Sequence, residues 1–247
     1  FATCDRVLSL VGDRAEALVT RGQGRSALTR FANSRIHQNM DVDDDHVRLR
    51  VVVDGGRIAQ ATTTRVDDDG LVRLVEGAIA AARLCPADPD FPGLANPDTF
   101  ASVDHFNAGT AAATPDARAA VVADFVATGS GLESAGYCST THEVHVLCST
   151  SGLGCASRTT MAQVDAIHRA GAATGPPIDG YGQITSARVA DLDGARVGEV
   201  AAQKARSGVD AIGLEPGSYE VVLEAKAVAA LLLFPSWLGF NGKAHAE

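Results

Sequence analysis

Residues 47–56 read VRLRVVVDGG. Val47, Leu49, Val51 and Val53 alternate with Arg48 and Arg50, which is the period-two pattern of a half-buried strand. Asp54-Gly55-Gly56 is a strong turn signal. Ile58–Thr64 follows, rich in threonine and so suited to the pleated conformation. The stretch therefore predicts a hairpin with one apolar face, and that face needs a cover.

The cover comes next in the chain. Asp67, Asp68 and Asp69 precede Leu71, Leu74, Val75, Ala78 and Ala82, which predicts an amphipathic helix of about four turns with acids at its positive end. Pro86 stops it, and Cys85–Pro97 reads as a proline-rich loop. Upstream, Glu16–Thr20 and Ala27–Phe31 read as two short strands, with Arg21–Arg25 as a glycine-bearing turn between them. Thr114-Pro115-Asp116 starts a second helix, with Val121, Val122, Phe125 and Val126 as its stripe and Gly129 past its end.

Tyr137–Ser149 and Gly154–Ala170 read as long strands of a meander turning at Ser151-Gly152. Gly175-Pro176-Pro177 is a break. Asp193–Ser207 is a third helix closed by Gly208. Tyr219–Leu223 reads as a strand and Ala225–Phe234 as a short buried helix. Strands and helices do not alternate as a doubly wound parallel sheet requires. The reading is an α+β fold: an amino-terminal domain of mixed or antiparallel sheets with packed helices over residues 1–213, then the start of a β-rich second domain, cut short, over 214–247.

The chain has 247 residues, 46% of them hydrophobic, a formal net charge of −9 and a pI near 5.2. An acidic surface weighs against a nucleic-acid binder. The most apolar stretch, Ala227–Phe234, is too short to span a membrane even when extended to Phe240. No secretory signal is evident. The five cysteines, Cys4, Cys85, Cys138, Cys148 and Cys155, are odd in number and scattered, which suits reduced thiols in the cytoplasm. Cys148 and Cys155 could face each other across a hairpin.

His142-Glu143-Val144-His145 resembles a metal motif, but zinc peptidase helices need their histidines at i, i+4. Here the spacing is i, i+3 in a strand context, where such residues point to opposite faces. The carboxylates Asp41, Asp43, Asp44 and Asp45 lack the central glycine of a calcium loop, so a solvated turn is expected there. No nucleophile elbow, phosphate loop or dinucleotide loop occurs. Residue chemistry alone names no reaction.

The runs LTRFANSRIHQN (28–39), VRLRVVVDGG (47–56), TRVDDDGLVRLVEGAIAAARL (64–84) and PADPDFPGL (86–94), taken in order, resemble the amino-terminal domain of the TldD/PmbA family, formerly called modulators of DNA gyrase. VLCSTSGL (146–153), the helix at Asp191–Ser207 and the strand at Tyr219–Leu223 extend the resemblance. It implies a cytoplasmic zinc metallopeptidase of paired TldD and PmbA (TldE) subunits that acts on unfolded or modified peptides. In that family the TldD-type subunit carries HExxxH. Read from Val221-Val222-Leu223, the motif's positions fall on Leu233, Phe234 and Leu238, and Pro235 is expected to break the helix. LGFNGK (238–243) resembles the metal-free branch.

The resemblance thus implies a PmbA/TldE-like subunit with no cofactor of its own. Zinc is expected in a TldD-like partner, and an unfolded peptide is the substrate. Asn33, Ser34, His37 and Gln38, in the resembling motif, are the candidate contacts with substrate or partner. The alternatives are a regulatory binding protein and a homo-oligomeric peptidase with another metal site, for instance at His142 and His145.

Overall fold

The computed structural model describes residues 1–98, 105–171, 176–209, 211–240 and 242. The chain divides into two compact units, Phe1–Asp210 and Ala211–Glu247. The first runs α1 (Ala2–Val11), β1 (Glu16–Ala32), β2 (Arg35–Val53), β3 (Arg57–Thr63), α2 (Asp68–Leu84), α3 (Ala108–Ala111), α4 (Pro115–Ala127), β4 (Glu133–Ser149), β5 (Gly154–Ala170), β6 (Ile178–Ser186) and α5 (Gly194–Ser207).

One sheet joins all six of these strands in the order β3-β2-β1-β4-β5-β6, and each neighbouring pair is antiparallel. The α+β class holds. The long strands differ from expectation. Arg21–Arg25 is no turn but the middle of β1, and Asp41–Asp45 no turn but the middle of β2. The physical reason is cross-strand pairing. Arg21 lies beside Asp45 and donates to it from Nε at 3.0 Å and Nη2 at 2.7 Å. Arg25 grips Asp41 in the same bidentate way. A run of acids that would repel itself in isolation is neutralised by the arginines of the adjacent strand.

The core sits on one face of the sheet. Register aligns Val19 with Leu49 and Cys148, and Leu49 with Ala61. Onto this end pack α1, through Cys4, Val7 and Val11, and α2, through Leu71, Leu74, Val75, Ala78 and Ile79. Each large aliphatic side chain buried there contributes about 1.5–3 kcal/mol. At the other end, on the same face, α4 and α5 bring Val121, Val122, Phe125, Val197 and Ala201 against Phe31, Cys138, Ala162, Val164 and Ala166. The strip between the two clusters carries the Arg21–Asp45 and Arg25–Asp41 pairs.

The helix starts follow from their caps. Asp67 accepts from the Gly70 N–H at 2.6 Å, Thr114 from Ala117 at 3.2 Å and Asp193 from Arg196 at 2.9 Å. α5 lies against β6 so closely that a Cβ at Gly180 would collide with the backbone of Ala201 and Ala205. Sequence reading missed α1 and β6. The first is a marginal helix on its own, stabilised by packing. The second, IDGYGQITS, is interrupted by the two glycines that admit α5. Of the proline break, Gly175 lies outside the described residues, as do Asn241 and Lys243 of the 238–243 run.

In the second unit, Tyr219–Leu223 is not a strand. A strand needs a hydrogen-bonding neighbour, and the described residues of that unit supply none. Helix α6 (Ala225–Leu238) runs through Pro235 rather than stopping at it. The proline falls in the last turn, where it forfeits one hydrogen bond, and the helix closes with Gly239 N–H donating to the Pro235 carbonyl at 2.7 Å. None of its residues is buried. No helix is long and apolar enough to cross a membrane among the described residues.

Candidate functional site

The four residues singled out from sequence gather at the closed end of the β1–β2 hairpin. Asn33 and Ser34 are the turn itself, not the stretch beyond a strand, with φ of 49° and 59°. Positive φ at both positions marks a type I′ turn, whose twist matches that of the strands, and asparagine tolerates that region better than most residues. Ser34 is tied down twice: its N–H donates to the Ser134 carbonyl at 2.9 Å, and its hydroxyl accepts from the Ser134 N–H at 3.0 Å.

His37 occupies a bulge. Arg30 pairs with Gln38 and Phe31 with Ile36, so His37 has no opposite number on β1. Bulges bend a strand and re-aim side chains. His37 is exposed and, with Ala32, Asn33 and Arg35, lines a shallow depression. Gln38 accepts a long contact from Arg30 Nη1 at 3.4 Å.

From this bulge the outer side of β2 is open. β3 covers only Val47–Val53, so among the described residues 35–46 have no strand on that side. Ile36, Met40 and Val42 are exposed along it, 41–47% each, between the acids. Among the described residues of the first unit, the sheet face opposite these helices carries no helix, since the core clusters draw their strand residues from the other face.

Behind the hairpin lies a group that sequence reading missed. Arg118 of α4 is 1% exposed. Its Nε donates to Thr29 Oγ1 at 3.2 Å, and its Nη1 to Thr140 Oγ1 at 3.1 Å and the Ala113 carbonyl at 3.2 Å. Thr29 passes the chain on to Asn39 Oδ1 at 2.6 Å, one residue beyond Gln38. Burial pulls the guanidinium pKa down from its usual value. The signal was available: Arg118 stands three residues before Val121, on the apolar stripe, where an arginine must be paired.

The buried thiols of Cys138 and Cys148 are poor nucleophiles. Burial pushes Cys138 up to about 12 and Cys148 up to about 11, which leaves almost no thiolate near neutrality. All five cysteines are free; Cys148 pairs with Gly154, one step from Cys155. His142 and His145 lie on opposite faces of β4, so they form no metal pair. Leu233, Phe234 and Leu238, at the positions the family motif implies, offer only carbon and do not fit a zinc ion.

Among the described residues of the first unit, the sheet is open on one face and has an unpaired strand edge beside the hairpin tip, a geometry to which an extended chain can add by main-chain hydrogen bonds. Residues 17–82 match the family model described as PmbA/TldA metallopeptidase domain 1. The fold matches a protein of Bacteroides thetaiotaomicron named a modulator of DNA gyrase, with TM-score 0.78 and 17% identity, over 98% of this chain and 56% of that one. It matches a Thermotoga maritima protein of the same name at TM-score 0.73 and 15% identity, over 87% and 50%. It also matches TldE from Thermococcus kodakarensis at TM-score 0.68 and 16% identity, over 83% and 46%. No curated protein sequence matches it. Over residues 17–82 the chain is thus similar to the first domain of the PmbA/TldD family, and the solved structures show the same fold. It spans about half the length of the solved structures it matches.

Proposed function

We propose that this chain is a PmbA/TldE-like subunit of a TldD/TldE-type zinc metallopeptidase complex, one that grips unfolded or modified peptides while a TldD-like partner holds the zinc. The observation that carries the reading is the open edge of β2 at residues 35–46. An unpaired edge offers alternating N–H and C=O groups to any extended backbone, whatever its sequence. That is the demand set by unfolded substrates. Aspartates along the edge discourage self-pairing between copies of the chain.

In this reading Asn33 and Ser34 fix the register of the edge, and His37 and Gln38 are the first side chains an added strand meets. The carbon-only positions Leu233, Phe234 and Leu238 support the assignment of zinc to the partner.

The test is co-expression with an HExxxH-bearing relative, followed by elemental analysis and cleavage of an unfolded peptide. One zinc per pair is expected, with none in this protein purified alone. Combined substitution of Asn33→Gly, Ser34→Gly, His37→Ala and Gln38→Ala is expected to raise KM with little change in kcat. Stoichiometric zinc in this protein alone, or unchanged cleavage by the substituted complex, would overturn the reading.

A further inference from the structure

The uncovered face of the sheet holds a cluster the hairpin site does not use. Gly22 and Gly24 of β1 both face that side. Gly22 stands between His46 on β2 and His145 on β4. Gly24 stands between Asp44 and Glu143 on the same two strands. The missing side chains leave a trough down the middle of β1, with one histidine and one carboxylate on each wall. A cavity formed here is lined by Gly22, Gly24, Asp44, His46, Glu143 and His145, among others.

The histidines lean over Gly22. A Cβ placed on that glycine would lie 2.6 Å from His46 Cε1, 2.9 Å from His46 Nε2 and 3.4 Å from His145 Nδ1. Those two nitrogens are the ones left over by the carboxylates. His46 Nδ1 is 2.6 Å from Asp44 Oδ2, and His145 Nε2 is 3.2 Å from Glu143 Oε2. An ionised carboxylate accepts, so each bonded nitrogen carries the proton. In the neutral rings the lone pairs therefore sit on His46 Nε2 and His145 Nδ1, the two nitrogens that lie 2.9 and 3.4 Å from one point above the glycine.

We infer that this trough is a binding site for a divalent transition metal of the zinc or nickel type, ligated by His46 Nε2 and His145 Nδ1. Imidazole nitrogens suit these ions, and zinc takes them at about 2.0–2.1 Å. A carboxylate on the far nitrogen fixes the tautomer and raises the basicity of the ring, the recurring second partner of metal-bound histidine. Among the described residues no third side chain converges on the point, so the other coordination positions face the open side of the sheet. They belong to water or to a donor brought by a bound chain. The site is independent of the peptidase assignment and of the motif position at Leu233.

The experiment is titration of the full chain with zinc chloride alone, followed by calorimetry. One ion per chain is expected, with micromolar affinity. His46→Gln and His145→Gln are each expected to weaken binding at least tenfold, and Asp44→Asn or Glu143→Gln by about 10–100-fold. His142→Gln, on the other face, is expected to leave it unchanged. Gly22→Ala removes no ligand, yet its methyl group would crowd both imidazole rings and should abolish binding. It displaces only a side chain, and circular dichroism checks that it folds. Failure of the wild-type chain to bind would overturn the proposal. So would binding that survives both His46→Gln and His145→Gln, which would mark an adventitious ion.

Discussion

Ser34, at the tip of the first hairpin, and Ser134, at the start of β4, exchange two hydrogen bonds of 2.9 and 3.0 Å. They join points a hundred residues apart and anchor the tip to the sheet. The Ser134 hydroxyl continues inward to His168 Nδ1 at 2.9 Å. Replacing Ser34 by alanine removes one acceptor and leaves a partly buried N–H without its partner. We expect a loss of about 1 kcal/mol, read as a lower denaturant midpoint with an unchanged slope.

Asn33 separates conformation from contact. Its φ of 49° is strained for a branched residue. Asn33→Gly is expected to keep stability within about 0.5 kcal/mol, whereas Asn33→Val should cost about 1–2 kcal/mol. If a peptide contact involves the Asn33 amide, the glycine variant loses binding and keeps its melting temperature.

His168 makes stability pH-dependent. It is fully buried, stacked on Phe125 with ring centroids 4.4 Å apart, and bonded to Thr128 Oγ1 at 3.1 Å and Ser134 Oγ at 2.9 Å. Burial first of all holds its pKa below the ordinary value of 6.5. Between the folded and unfolded values the unfolded chain binds more protons, so stability rises with pH. The neutral ring's contribution is complete above about pH 6.5 and is lost as pH falls from there toward the folded value. Thermal melts from pH 7.5 to 5 are expected to fall for the wild type. His168→Gln should start lower and show a flatter profile over that range.

The buried arginine gives a further test. Thr29→Val takes the acceptor from Arg118 Nε and the donor from Asn39 at once. The expected cost is about 1.5–3 kcal/mol, the range for a hydrogen bond to a buried charge. Thr140→Val should cost about as much by itself. Because both threonines serve one guanidinium, the double variant is expected to be non-additive. Equilibrium unfolding of the single and double variants checks this.

What the sequence by itself determined was local. The alternation in 47–53, the glycine turn after it, the helix starts at Asp67 and Thr114 and the apolar stripes of α2 and α4 depend on neighbours within a few residues, and each was readable. So was the α+β class. Only the tertiary structure decided the rest, because the forces there act between residues far apart in the chain. Arg21–Arg25 and Asp41–Asp45 read as turns until cross-strand ion pairs make them the middles of strands of 17 and 19 residues. The segment 178–186 becomes a strand because α5 needs its glycines. Tyr219–Leu223, with no partner strand, stays irregular despite its β-prone residues. The same holds for the candidate sites. Asn33, Ser34, His37 and Gln38 were legible as one run of sequence. His46 and His145 are 99 positions apart in the numbering, and only the register that sets both beside Gly22 makes them a pair.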